Sequence, residues 1–290
     1  MALKTNWLKM DNITPLMPLL MPLSAGFLER GEPLDETLYL GYFKGRVLID
    51  QEMLVWVKPD PNGLQVFLGN WNGVAIFAQD LSHLVELPGD PTDLWLLPNS
   101  VPKDHLALLC QGQHMLRWHA KNRFCAKTGT PTELQDFGRS RRSEIAKTDI
   151  YPRIDPAVIM LVLSPDKKKV VLANSKLMPP GLHSLLAGYV EPGEALEDTV
   201  RRETIEEVGL NVSEVTYLAS QPWALSGSLM VGFTCVATSW EIQIDADELE
   251  TADWFSHKDL LRLKNDPAYG FPRRNTIARH MLDQWRETQS

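Results

Sequence analysis

Short apolar runs separated by turn residues fill the first third of the chain. Segments 37–42, 47–49, 53–57, 64–68 and 74–78 are apolar, and Pro59-Asp-Pro-Asn-Gly63 separates the third from the fourth. This spacing predicts a mostly antiparallel sheet. The chain breaks between Pro98 and Pro102, and a helical pattern then runs to about Arg123 with Leu106, Leu109, Cys110, Met115 and Trp118 facing inward. A polar, basic connector that includes Arg139-Ser-Arg-Arg-Ser143 continues through Lys147. A second pattern starts at Ile150. Runs 157–163 and 170–173 flank Ser164-Pro-Asp-Lys-Lys-Lys169, the signature of a hairpin; 229–237 reads as a strand and 274–287 as an amphipathic helix.

Between these elements lies the segment with the most chemistry. A turn at Glu191-Pro192-Gly193 opens a helix with Glu194, Glu197 and Asp198 expected in its first turns, where the macrodipole favours anions. Gly209 is the expected stop. Glu203, Glu206 and Glu207 stand at i, i+3 and i+4, so one helix face carries three carboxylates. Like charges so placed repel unless a cation neutralises them. Hard oxygen donors at close range suit Mg²⁺ or Mn²⁺ bridging to phosphate. The bland alternative is a solvated acidic face paired with Arg201 and Arg202.

Composition narrows the field. A chain of 290 residues can hold two cores, and 44% hydrophobic with 23% charged residues is ordinary for a globular protein. The net charge of −8 disfavours a general nucleic-acid or membrane-surface binder. Three cysteines without a CxxC pair fit a reducing compartment. The apolar run 15–27 is broken by prolines and preceded by Asp11, so it is read as a loop or edge segment, and the protein as cytoplasmic.

Read as a motif, Gly188 through Leu210 resembles the Nudix box, G-x5-E-x7-R-E-U-x-E-E-x-G-U. Its seven fixed letters fall at Gly188, Glu194, Arg202, Glu203, Glu206, Glu207 and Gly209. A chance match is on the order of one in a hundred million per start position. Thr204 replaces the aliphatic residue, with a γ-methyl that can still pack. The stretch Ser220-Gln221-Pro222-Trp223-Ala-Leu-Ser-Gly-Ser228 resembles the SQPWPFPxS signature of the NADH pyrophosphatase branch, with Ala224, Leu225 and Ser226 replacing Pro-Phe-Pro. Segments 118–125, 151–156 and 276–279 also resemble this branch.

The resemblance implies a Nudix mixed-sheet α/β sandwich over 151–290, a zinc-ribbon-like connector over 116–150 and a separate N-terminal α+β domain over 1–115. It implies a homodimer dependent on Mg²⁺ or Mn²⁺ that splits NADH, and NAD⁺, into the nicotinamide mononucleotide and AMP. By resemblance the metal ligands are Glu203, Glu206, Glu207, Glu248 and the carbonyl of Ala187, with Glu207 also activating water. Tyr151, Tyr189, Gln221, Trp223, Ser228 and Ala278 fall at substrate-binding positions. The four ribbon positions here read Cys125, Thr128, Ser143 and Ala146, so one thiol remains and no structural zinc is expected. Packing of Trp118, Phe124, Phe137 and Ile145 is expected to hold the connector instead. Two other functions fit the motif. One is decapping of NAD-capped RNA, or hydrolysis of another nucleoside diphosphate derivative, with Arg139, Arg141 and Arg142 serving an RNA 5′ end. The other is a non-hydrolysing nucleotide sensor.

Overall fold

A computed structural model describes residues 25–50, 53–97, 101–223, 226–263, 269–273 and 275–289. Most of the 15–27 run and the altered pair Ala224-Leu225 lie outside them. The chain divides into two units: Met1–Ile154 with Trp223–Gly227, and Asp155–Pro222 with Ser228–Ser290.

In the first unit, β1 (Thr37–Phe43), β2 (Arg46–Asp50), β3 (Met53–Leu54), β4 (Trp56–Val57), β5 (Gln65–Trp71), β6 (Val74–Asp80) and β7 (Asp90–Thr92) form one sheet. Its pairings are antiparallel except for β1 with β6. Helix α1 (Lys103–Lys121) closes it, and the five expected apolar positions of that helix are all buried. The Tyr42 hydroxyl donates to the Leu109 carbonyl at 2.9 Å. Gly112 is needed there, because a Cβ would overlap the Tyr42 ring. Helix α1 runs across position 116, where the sequence reading begins the connector.

The connector folds as three short strands, β8 (Glu133–Gln135), β9 (Ser140–Ser143) and β10 (Thr148–Ile150). The expected apolar packing is incorrect: Trp118 is buried, but Phe124, Phe137 and Ile145 are 58%, 49% and 70% exposed. Strands of three or four residues cannot bury much apolar surface, and a polar core replaces it. Buried Arg141 donates through Nε to the Thr132 hydroxyl (2.6 Å), through Nη2 to the Thr132 carbonyl (2.8 Å) and through Nη1 to His119 Nδ1 (3.0 Å). His119 Nε2 donates to the Gly138 carbonyl at 2.7 Å, which fixes Nδ1 as the acceptor. Burial, above all, pushes the His119 pKa down to about 4, so the ring is neutral. The Cys125 thiol bonds Ser143 and Thr128, two of the other ribbon positions, and these contacts lower its pKa to about 7.

Arg141→Ala should therefore lower stability by about 1–3 kcal/mol, several degrees of melting temperature, because buried acceptors lose their donor. Metal analysis should find no stoichiometric zinc, and chelator should leave the melting temperature of this unit unchanged. One tightly bound zinc per chain contradicts this account of the connector.

The second unit is a six-stranded mixed sheet: β11 (Asp155–Leu163), β12 (Lys169–Ser175), β13 (Leu186–Tyr189), β14 (Val212–Trp223), β15 (Ser228–Ala237) and β16 (Leu249–Ser256). Strand order is β14-β15-β11-β12-β16, with β13 paired to β11. β11 and β12 form the expected hairpin, turned by a Ser164–Asp166 side-chain bond of 2.7 Å. Helix α2 (Leu196–Val208) packs on the sheet through Val200 and Val208, alongside Val158, Met160 and Phe233. Helices α3 (His257–Leu263) and α4 (Ile277–Glu287) complete the unit. The last begins at Ile277 because Thr276 caps it, accepting the Arg279 N–H at 3.2 Å.

Candidate active site

Helix α2 ends where Gly209 adopts φ 69°, its N–H reaching the Ile205 carbonyl. The N–H of Leu210 reaches Thr204, so two terminal carbonyls are satisfied. Thr204 is fully buried and donates its hydroxyl to the Val200 carbonyl at 2.7 Å, which explains how the aliphatic position accepts it. Glu194, expected in the first turn, instead precedes the helix. It accepts the Glu191 N–H (3.0 Å), the Thr199 hydroxyl (2.9 Å) and Arg202 through Nε (2.6 Å) and Nη2 (2.9 Å). Those bonds, Arg202 foremost, pull its pKa down to about 2. Glu194 is thus a brace between the loop and the helix.

Arg202 is the hub. Its Nη2 also donates to the Tyr189 carbonyl at 2.9 Å, and its Nη1 reaches Glu203 (2.8 Å) and Glu206 (2.9 Å). Arg201 pairs with the helix start, at the Glu197 carbonyl and the Asp198 carboxylate. The three carboxylates are not equivalent. Glu206 is 57% exposed, Glu203 is 12% exposed, and Glu207 is buried.

Burial, then repulsion from Glu203 and Glu248, raises the Glu207 pKa to about 8, although the Ala187 N–H bonds its carboxylate. Burial also raises Glu203, against the pull of Arg202. Glu203 lies so close to β13 that a Cβ at Gly188 would overlap its carboxylate. The turn carrying Glu248 is tied to α2 by the Asp245 N–H on the Glu207 carbonyl, at 3.0 Å. A cleft of about 410 Å³ opens beside Glu207, Glu248, Asp247 and Ala187.

Among the described residues, no group of three or more His, Cys, Asp or Glu side chains is already drawn together as a ligand set. The donors nevertheless fit a hard divalent cation. All are oxygens, and two of the anions are held where burial and mutual repulsion oppose their ionisation. Glu203, Glu207 and Glu248 would hold such an ion, with the carbonyl of Ala187 on the strand edge whose N–H already faces Glu207. Glu206 stands further out.

Comparison with known proteins identifies the family. A model of the Nudix domain matches residues 153–275. The NAD-capped RNA hydrolase NudC of Pseudomonas aeruginosa is 36% identical over 219 residues, which cover 74% of each chain. The chain belongs to the Nudix family. Human NAD-capped RNA hydrolase NUDT12 is 38% identical over 190 residues, and mouse mitochondrial NAD(P)H pyrophosphatase NUDT13 is 40% identical over 200. The matched region spans 41% of the human protein's length and 56% of the mouse protein's.

The remaining positions taken from the Nudix resemblance fall in both units. Tyr189 is half-exposed on β13, its hydroxyl 3.1 Å from that of buried Ser228. Gln221 is fully buried; its amide donates to the Asn275 carbonyl (3.0 Å) and accepts the Ile277 N–H (2.7 Å). That ties Gln221 to the entry of α4, whose first turn buries Ala278. Tyr151, largely exposed, belongs to the other unit, as does Trp223, the last residue of β14, at which the chain passes into it. The arginines considered for an RNA end are engaged locally. Arg139 pairs with Asp136, Arg142 with Glu144 and Asp149, and Arg141 is buried, so the basic run is a set of internal ties. Sequence reasoning missed Lys176, whose main-chain N–H donates to the Glu248 carbonyl at 3.0 Å and whose Nζ donates to the Ala246 carbonyl. A lone lysine after a strand carries no signal of that role.

Proposed function

We propose that this Nudix protein hydrolyses the diphosphate of NADH and NAD⁺, releasing the nicotinamide mononucleotide and AMP with Mg²⁺ or Mn²⁺. The observation that carries the reading is buried Glu207, its ionisation opposed by Glu203 and Glu248, within a box whose Gly188, Glu194 and Arg202 all brace that helix face. When bound, a divalent ion neutralises the diphosphate and makes a water acidic enough to react near neutral pH. Arg202 fixes Glu203, and among the described residues no guanidinium pairs with Glu207, so with a divalent ion favouring its charged form the Glu207 carboxylate can take a proton. Water attacks one phosphorus, the P–O bond to the bridging oxygen breaks, and the water's proton passes to the Glu207 carboxylate. The substrate side rests on Tyr189 and Ser228, with Gln221 and Ala278 shaping the wall.

NAD-capped RNA is a second substrate under this reading, supported by what the P. aeruginosa and human relatives are named for. A pure nucleotide sensor is disfavoured, since a binder does not need a buried repelling pair. We further propose a cytoplasmic homodimer, on resemblance alone. Turnover of NADH, ADP-ribose and NAD-capped RNA side by side tests the assignment. NADH and NAD-capped RNA should both exceed ADP-ribose in kcat/KM. ADP-ribose as the best substrate overturns the reading.

A further inference from the structure

The cleft beside Glu207 and Glu248 has a wall that catalysis does not use. Lys176, Leu177, Met178, Leu185 and Leu249 line it. Leu177 is 97% exposed and Met178 is 37% exposed. Two large apolar side chains together at the rim of an acidic cleft are out of place on a solvated loop. Their loop is nevertheless braced. The Asn174 amide donates to the Pro179 and Leu182 carbonyls at 3.1 and 2.7 Å, and Pro179-Pro180 restricts the backbone beyond Met178. Among the described residues Lys176 is the one basic side chain lining the cleft. It is anchored to the Ala246–Glu248 turn by the two bonds described above, and its ammonium has three donors, of which one carbonyl uses one.

A diphosphate-linked dinucleotide has two nucleoside arms that leave the diphosphate in opposite directions. None of Tyr189, Gln221, Ser228 and Ala278, the substrate positions in this unit, lines this cleft. The cleft therefore has no part of the substrate assigned to it. About 410 Å³ falls in the size range of small-ligand sites. We propose that the cleft seats the second mononucleotide arm, with its base on Leu177 and Met178 and its phosphate toward Lys176. This rests on the diphosphate-hydrolase reading, because that reading places the diphosphate at the carboxylates.

The test has a binding arm and a kinetic arm. Protein labelled at the methionine methyls is titrated with AMP and separately with nicotinamide mononucleotide, and the Met178 resonance is assigned through Met178→Leu. One of the two should shift that methyl at millimolar concentration, and which one identifies the arm. In the kinetic arm, Leu177→Ser with Met178→Ser should raise the KM for NADH about tenfold and leave kcat within about twofold. Lys176→Met should do the same, and Lys176→Arg should recover most of the loss. Both sites are on exposed loop positions, so folding should be unaffected. A Met178 shift in a protein that does not cleave NADH would keep the cleft and sink the assigned reaction. No shift with either nucleotide, together with an unchanged KM in an enzyme that does cleave NADH, overturns the cleft.

Discussion

Glu207→Gln should lower turnover by about 100-fold or more while the fold stays intact. Glutamine keeps the shape and can still accept the Ala187 N–H, but it supplies neither the negative charge nor a site for the proton of water. The same change should show an opposite sign in stability. In metal-free protein the folded-state pKa of Glu207 lies near 8, above the ordinary carboxylate range, because burial and the Glu203 and Glu248 charges oppose its ionisation. A carboxyl whose folded pKa is raised takes up a proton on folding, so stability falls as pH rises from the ordinary carboxylate pKa to about 8. Glutamine removes that fall. In chelator above that pH the variant should melt higher than the wild type, and at pH 5 most of the difference should be gone. Thermal melts across pH, beside rates with metal, separate a lost functional group from a damaged fold. Near-normal rates in the variant would remove Glu207 from the reaction.

Gly188→Ala makes the complementary case, since it alters no functional group. The added Cβ would overlap the Glu203 carboxylate, the movable end of a long side chain, so the strand and helix can stay while that carboxylate swings away. Stability should change by less than about 1 kcal/mol. Misplacement of one reactive group by about 1 Å can reduce rate 100-fold, so kcat/KM should fall at least tenfold. The metal concentration giving half-maximal rate should rise as well. Calorimetric titration with Mn²⁺ reads this independently of turnover. Unchanged metal affinity and rate would show that the box glycine serves the backbone alone.

Much of this site was legible in the chain because the box encodes contacts at fixed spacing. A glycine lets Glu203 approach β13, Glu194 ties the loop to Arg202, and the i, i+3, i+4 glutamates share a helix face. The spacing did not reveal the unequal burial of those glutamates, which depends on how α2 is rotated against the sheet. The hairpin of β11 and β12 was legible from apolar runs around a polar turn. β14 and β16 were not, since Glu214, Thr216, Glu250 and Asp253 interrupt any apolar alternation and face solvent. The connector misled most. Phe124, Phe137 and Ile145 looked like a small core, but its interior is Arg141, Thr132 and His119, held by hydrogen bonds that no periodicity announces. Gln221 shows the same limit: a motif letter marks the position, whereas the Asn275 and Ile277 backbone that it ties down is distant in sequence.

The central claim is that the carboxylates around Glu207 support metal-dependent cleavage of a dinucleotide diphosphate. Incubation of the purified protein with NADH, with Mg²⁺ or Mn²⁺ and separately with chelator, followed by chromatography of the products, tests it most directly. AMP and reduced nicotinamide mononucleotide should appear in equal amounts with metal and be absent with chelator. Intact NADH in every sample, or cleavage that survives chelation, would contradict it.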